Sequence, residues 1–319
     1  MENEPRLRIL FFGTPTFAVP TLEGLLRSRH PVVAVVTQPD RPRGRGQVVQ
    51  HSPIKAVALA HNVPVWQPDR LKDHAFLSLV RSAEPDLGVV AAYGKLLPDV
   101  LLGLPRLGLI NVHASLLPRY RGASPIQRAV LAGDTETGVT IMRVVSALDA
   151  GASLAQRRHP IGPDDTSGHV EQALATVGGS LLCETVDRLA AGAVRETPQD
   201  EAQATYAPRL RKEEGLVDWS RPAPDVHNHV RAMQPWPGAF SFLHGQRLMI
   251  RQTQPATPID AAPGTIVEAD RDVLRVATGD GSSLRVLEVQ PEGRRAMTTR
   301  DFLAGRRLEV GARFNGRHP

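Results

Sequence analysis

Leu7-Arg8-Ile9-Leu10-Phe11-Phe12-Gly13-Thr14-Pro15-Thr16-Phe17-Ala18-Val19-Pro20-Thr21-Leu22-Glu23-Gly24-Leu25-Leu26-Arg27 opens with a short apolar run that stops at a glycine. From Phe17 the spacing changes. Leu22, Leu25 and Leu26 recur at helical intervals, and Pro20 is tolerated in a first turn, where its missing N–H breaks no bond. The segment reads as strand, turn, helix. The pattern then repeats through Val32–Val36, Ile54–Ala60 entered at Ser52-Pro53, Val63–Trp66, Phe76–Val80 and Leu87–Ala91. Alternating β and α elements imply a parallel sheet covered on both faces.

Further strands fit Leu109–His113 and Val139–Val144, while Gly168–Leu189 places Val170, Leu174, Val177, Leu181, Leu182 and Val186 as a long helix would. Residues 1–189 are therefore expected to form a doubly wound, mostly parallel, Rossmann-like α/β domain. From Ala190 to Thr205 the chain turns polar and loses periodicity, so 190–205 reads as a linker across the surface. After Tyr206 come one helix around Asp225–Met233 and the short β-type runs Ala239–Leu243, Leu248–Gln252, Thr265–Glu268, Val273–Ala277 and Ser283–Val289. Gly, Pro and Asp separate these runs, and the texture suggests a small β-barrel (OB-like) or sandwich over 206–319.

With 319 residues, 41% of them apolar, the chain can bury two cores. Its single cysteine, Cys183, cannot form an intramolecular disulfide and sits in the apolar run Ser180–Val186, the setting of a buried structural thiol. No apolar stretch approaches the ~20 residues of a membrane helix, and Met1–Arg8 lacks the apolar core of a signal peptide, so a cytoplasmic protein is expected. The net charge is +5, and residues 206–319 hold 17 Lys and Arg against 13 Asp and Glu, so most of the surplus lies there. Arg294, Arg295, Arg300, Arg306, Arg307, Arg313 and Arg317 concentrate it further, which suits an anionic partner or simply a solvated basic face.

Gly13-Thr14-Pro15-Thr16-Phe17 follows the first strand but lacks the second and third glycines of a dinucleotide loop, so it can line a ligand crevice without being a nucleotide site. The richer segment is Leu109-Ile110-Asn111-Val112-His113-Ala114-Ser115-Leu116-Leu117-Pro118-Arg119-Tyr120-Arg121-Gly122. In a strand, Asn111 and His113 point to one face. An amide beside an imidazole can polarise a carbonyl and manage a proton, although the spacing equally fits two polar residues satisfied by backbone at a strand end. Asp149, after Val139–Val144, can accept a hydrogen bond from the histidine and fix its tautomer, or hold a proton-shuttling water, or be a plain turn residue. No Ser-x-Gly elbow or Cys–His pairing supplies a covalent nucleophile, and the histidines lack zinc-ligand spacing. Direct transfer between two bound substrates, with no metal, is the expectation.

Through Asn111-x-His113-x-Ser115-Leu116-Leu117-Pro118 and Leu148-Asp149-x-Gly151 the chain resembles the folate-dependent formyltransferases. Supporting marks are Phe12-Gly13-Thr14-Pro15, Gln38-Pro39-Asp40-Arg41-Pro42 with Gly44-Arg45-Gly46, Tyr93-Gly94, Arg119–Gln127, Gly138-Val139-Thr140, Pro235-Trp236-Pro237 and Gly279-Asp280-Gly281, in order along nearly the whole chain. The resemblance implies catalytic roles for Asn111, His113 and Asp149, and a pocket for 10-formyltetrahydrofolate lined by Tyr93, Gly94, Ser115, Leu116, Leu117 and Pro118. Three acceptors compete: a charged tRNA, glycinamide ribonucleotide, or an amino sugar on a nucleotide carrier. The residues after Tyr206 argue against the second. The loop Gln38–Ser52, with Arg41, Arg43 and Arg45 among prolines and glycines, suits a basic finger on an acceptor stem and favours tRNA, and the resemblance implies that this is initiator methionyl-tRNA, bound by a monomer.

Overall fold

The computed structural model describes residues 5–43 and 48–315, with side chains described outside residues 41–49. The chain divides into two compact units, one of Met1–Pro125, Glu136–Pro160 and Glu171–Ala207, the other of Ile126–Thr135, Ile161–Val170 and Pro208–Pro319.

In the first unit seven strands form one sheet in the order Val65–Trp66, Val32–Val36, Ile9–Gly13, Leu87–Ala91, Leu109–His113, Glu136–Arg143, Ser153–Pro160. The central strands Ile9–Gly13 and Leu87–Ala91 are buried along their whole length, as a sheet covered on both faces requires. Pairing is parallel from Val65–Trp66 through to Leu109–His113. Beyond that strand it turns antiparallel, with His113 opposite Thr140 and Asn111 opposite Met142. The last strand, Ser153–Pro160, returns antiparallel because the turn after Arg143 is too short for a crossover helix. Sequence reading passed over it, since Gln156-Arg157-Arg158-His159 looks like surface; it is an edge strand with alternating burial.

The elements read from periodicity are present with small shifts at their ends. Ser52 caps the helix Pro53–Ala60, its hydroxyl accepting from the Lys55 N–H at 3.1 Å. Cys183, on the helix Ser167–Ala190, lies so close to Gly24 that a β-carbon there would come within 2.8 Å of its sulfur, and burial pushes the thiol's pKa up. Residues 190–205 lie on the surface but are tied down. Ser153 and Thr197 exchange N–H···O bonds of 2.8 and 2.9 Å, Asp200 caps the 3-10 turn Glu201–Gln203, and Arg121 bridges Tyr206 in parallel register. Among the described residues no helix is long and apolar enough to cross a membrane.

The second unit holds an antiparallel sheet ordered Ile266–Asp270, Val273–Ala277, Ser283–Pro291, Gln246–Ala256, Ala239–Leu243, Phe314–Asn315. Its two ends meet. Ile266 N–H donates to Ala312 O, Gly311 N–H to Ile266 O and Phe314 N–H to Gly264 O, each at 2.8 Å, so the sheet closes into a barrel. Trp219 stacks on Phe314 at 5.3 Å and donates its indole N–H to Ser241 Oγ at 3.0 Å. The segments Ile126–Thr135 and Ile161–Val170 join this unit through arginines. Arg128 forks onto Glu214 at 2.7 and 3.2 Å, and buried Arg231 donates to the carbonyls of Gly162 and Asp165 at 3.4 and 3.0 Å.

A β-carbon at Gly138 would overlap the Arg157 carbonyl oxygen and the Leu116 side chain. Gly138→Ala should therefore lower unfolding free energy by about 1–3 kcal/mol, the cost of overpacking. A urea midpoint equal to wild type would show that these two neighbouring strands yield freely.

Candidate active site

Asn111 and His113 alternate with buried Ile110 and Val112, which puts their side chains together on one face where the strand ends. The imidazole is only 5% exposed, so its hydrogen bonds decide its chemistry. Nε2–H donates to the Tyr120 carbonyl at 3.0 Å. A carbonyl can only accept, so Nε2 carries the proton and the lone pair of the neutral ring lies on Nδ1. Nδ1 faces Asp149, with 3.7 Å to Oδ2.

That distance exceeds a hydrogen bond. Of the alternatives open for Asp149, the one in which it accepts from the imidazole and fixes its tautomer is therefore not what the structure shows. The Tyr120 carbonyl fixes it, and Asp149 Oδ2 instead accepts the Gly122 N–H at 2.8 Å. A backbone acceptor seven residues from its histidine leaves no side-chain signature, which is why sequence reading did not find it. Tyr120 and Asp149 both hold left-handed backbone conformations, at φ 62° and 47°, so the two residues that flank the imidazole each sit in strained backbone. A proton arriving on Nδ1 would meet a carboxylate within Coulomb range. The Asn111 amide makes no hydrogen bond among the described residues and is available to a ligand.

The turn after His113 is braced from the neighbouring strands. Thr140 Oγ1 donates to Ser115 O at 2.7 Å and accepts from Leu117 N–H at 3.1 Å, and Gln156 Nε2 donates to Leu117 O at 2.7 Å. Ser115 and Leu117 are buried, whereas Leu116 and Pro118 are half-exposed and can meet a ligand. Thr140 and Gln156 support the loop from strands that motif reading did not connect to it; the Gly138-Val139-Thr140 signature was the available hint.

Tyr93 behaves differently from its neighbour. Its ring is 2% exposed, packs edge-on against Phe12 at 5.6 Å, and its hydroxyl has no hydrogen-bond partner. Burial pushes its pKa up to about 12. The ring belongs to the core, and what this loop can offer a ligand is exposed Gly94, with φ 83°, and the backbone. The Tyr93 carbonyl is fixed by Thr14 Oγ1 at 3.3 Å and Gln38 Nε2 at 3.1 Å.

The basic loop begins as a hairpin in which Arg41–Arg43 pairs with Val48–Gln50. Arg45 and the side chains of Arg41 and Arg43 lie outside the described residues. The loop's stem is anchored: Lys55 Nζ donates to Asp40 Oδ2 at 2.5 Å and to Gln67 Oε1 at 2.8 Å, while Gln67 Nε2 donates to Gln38 O at 2.9 Å. Lys55, and then Gln67, hold the Asp40 carboxyl down at about 2. No group of three or more His, Cys, Asp or Glu among the described residues could hold a metal ion.

A strand end carrying an amide and an imidazole, with a carboxylate on a nearby turn, lies in a mostly parallel sheet of a chain that also carries a small barrel, and solved group-transfer enzymes share the fold. WlaRD, a sugar 3N-formyl transferase, superposes with TM-score 0.68 at 18% identity over 91% of this chain and 99% of its own. HypX from Aquifex aeolicus, in complex with tetrahydrofolic acid, gives 0.62 at 18% over 93% of this chain and 47% of its own. Family models for the formyl transferase and for the formyl transferase C-terminal domain match residues 6–186 and 209–307. This chain belongs to the formyl transferase family. It is 49% identical to a methionyl-tRNA formyltransferase of Methylococcus capsulatus over 95% of this chain and 99% of that one. A protein of the same name from Citrifermentans bemidjiense is 47% identical over 96% and 95%.

Tyr93→Phe removes a hydroxyl that has no partner to lose. Thermal unfolding should show stability unchanged or raised by up to about 1 kcal/mol, with formyl transfer at the wild-type rate. A large loss of folate affinity in this variant would mean that the ring reaches the ligand after all.

Proposed function

We propose that this chain transfers the formyl group of 10-formyltetrahydrofolate to the free amino group of methionine on initiator methionyl-tRNA, giving N-formylmethionyl-tRNA for the start of translation in the cytoplasm. One observation carries the reading: relatives of that name are 44–49% identical and align along nearly the whole length, through both units. Acceptors of other kinds are less well supported. A glycinamide ribonucleotide transformylase from Symbiobacterium toebii is matched over 95% of its chain yet over only 61% of this one. Transfer to a nucleotide-linked amino sugar remains the second reading, since WlaRD aligns along its full length, but at 18% identity.

In this reading the folate brings an activated formyl carbon. Leu116, Pro118, Gly94 and the backbone around Tyr93 hold it, and Ser115 and Leu117 shape the turn from within. The Asn111 amide donates to the formyl oxygen, where negative charge gathers as the amine attacks. His113 takes the proton released by the amine on Nδ1, and Asp149 stabilises the charge that results. The new C–N bond forms on methionine, the bond to the folate nitrogen breaks, and the proton passes to that nitrogen. Amide, imidazole and carboxylate supply all the polarisation, so no metal enters the scheme. Arg41, Arg43 and Arg45 neutralise phosphates of the acceptor stem, and the basic surplus after Tyr206 extends the tRNA contact from a monomer.

His113→Ala and Asn111→Ala should each lower kcat by about two to four orders of magnitude, with circular dichroism unchanged. Near-normal turnover in either folded variant would remove that residue from the chemistry.

Arg45→Ala should raise KM for charged tRNA and leave KM for the folate near wild type, and wild-type affinity for tRNA should fall steeply with salt as condensed counterions are released. Salt-independent binding, or an Arg45→Ala enzyme as efficient as wild type on charged initiator tRNA, would favour a small acceptor.

A further inference from the structure

The turn that carries Asp149 is exposed at its start and left-handed at its centre. Leu148 is half-exposed, Asp149 adopts φ 47°, and a β-carbon at Gly151 would overlap the Arg143 carbonyl. Two of its carbonyls are nevertheless held from far along the chain. Gln199 Nε2 donates to Asp149 O at 2.8 Å and to Gly151 O at 2.7 Å. Gln199 belongs to the polar segment that reads as a linker.

The orientation of that amide is dictated by an arginine. Arg121 is 2% exposed, and its Nε and Nη2 both donate to Gln199 Oε1, at 3.1 and 2.8 Å. A guanidinium only donates, so the oxygen must face it and the NH₂ must face the two carbonyls. Glu201 completes the clamp with a fork of 2.9 and 2.7 Å onto Nη1 and Nη2. The backbone on either side is fixed as well. Arg121 N–H donates to Thr205 O at 2.8 Å, Ala207 N–H to Arg121 O at 2.7 Å, and Tyr120 N–H to Thr205 Oγ1 at 2.8 Å. The same segment thus holds Tyr120, whose carbonyl fixes the His113 tautomer, and Asp149, whose carboxylate faces the other ring nitrogen.

We infer that Gln199, oriented by Arg121 and Glu201, is a positioning residue that sets the Asp149 carboxylate against His113 for formyl transfer. The inference rests on the proposed function for its catalytic consequence and on the hydrogen bonds alone for its structural one. Gln199 touches no reacting atom and acts only through the Asp149 turn.

Gln199→Glu tests this with little change of volume, because the carboxylate still pairs with Arg121 but presents no donor to the two carbonyls; Gln199→Ala serves as the second variant. Either should lower kcat for formylation of charged initiator tRNA by about 10- to 100-fold, the scale of a small misplacement, with KM for both substrates within about threefold. Made in an Asp149→Asn background, the same change should alter kcat by less than about threefold, since two residues acting through one group are not additive. Hydrogen exchange at the Gly122 amide, which Asp149 accepts, should become about tenfold faster without any substrate present. Wild-type kcat and exchange in the variants, equal losses in both backgrounds, or a loss of kcat with unchanged Gly122 exchange would each overturn the inference. An inactive wild-type enzyme would sink the proposed function instead, and the exchange measurement would still judge the clamp.

Discussion

Leu109–His113 is bonded in parallel on one side and antiparallel on the other, and the rest of the candidate site depends on that change of sense. A strand end in a purely parallel sheet opens onto a crevice between loops. Here the antiparallel neighbour instead runs back past the strand end, so Thr140, opposite His113, can brace the turn Ser115–Leu117 from the side. The turn then leads to Tyr120, whose carbonyl returns to the histidine ring. One strand reversal thus sets the position of the imidazole and, through Tyr120, its tautomer.

Much of this was legible in the residues. Leu87–Ala91 and Leu109–His113 are legible as strands because each short apolar run starts just after a breaker, Pro85-Asp86 and Gly108, and Ser52-Pro53 announces a helix through a hydroxyl acceptor followed by a residue with no N–H to satisfy. Alternation correctly put Asn111 and His113 on one face. Periodicity reports facing and not depth, however, so it could not tell that Tyr93 turns into the core while Gly94 stays exposed. It is also blind to partners far apart in the chain. The clamp from Arg121 to Glu201 joins residues eighty positions apart, and the closure of the barrel pairs Gly264 with Phe314. The polarity of 190–205 reads as a linker across the surface, and part of it is hydrogen-bonding capacity spent on buried Arg121.

The arginine count needs a similar correction. In the barrel unit Arg275 pairs with Glu268 and Arg285 with Asp272, and in the first unit Arg143 pairs with Glu196 and Arg157 with Glu184. Such exposed pairs add little stability but locally cancel the field that a phosphate would sense. A count of arginines alone therefore overstates the attraction at those places, and the stretch from Arg294 onward, where only Asp301 and Glu309 oppose the arginines, gains weight by comparison.

Closing the barrel between Gly264–Ile266 and Gly311–Phe314 takes up backbone donors and acceptors along that part of the sheet's rim. The other sheet cannot close, and its rims are blunted differently. One is the two-residue strand Val65–Trp66, and the other, Ser153–Pro160, carries Arg157, Arg158 and a final proline and has Ser153 already bonded to Thr197. Charge at Arg157 and Arg158 and the missing N–H of Pro160 are features that discourage a second chain from adding as an extra strand along Ser153–Pro160.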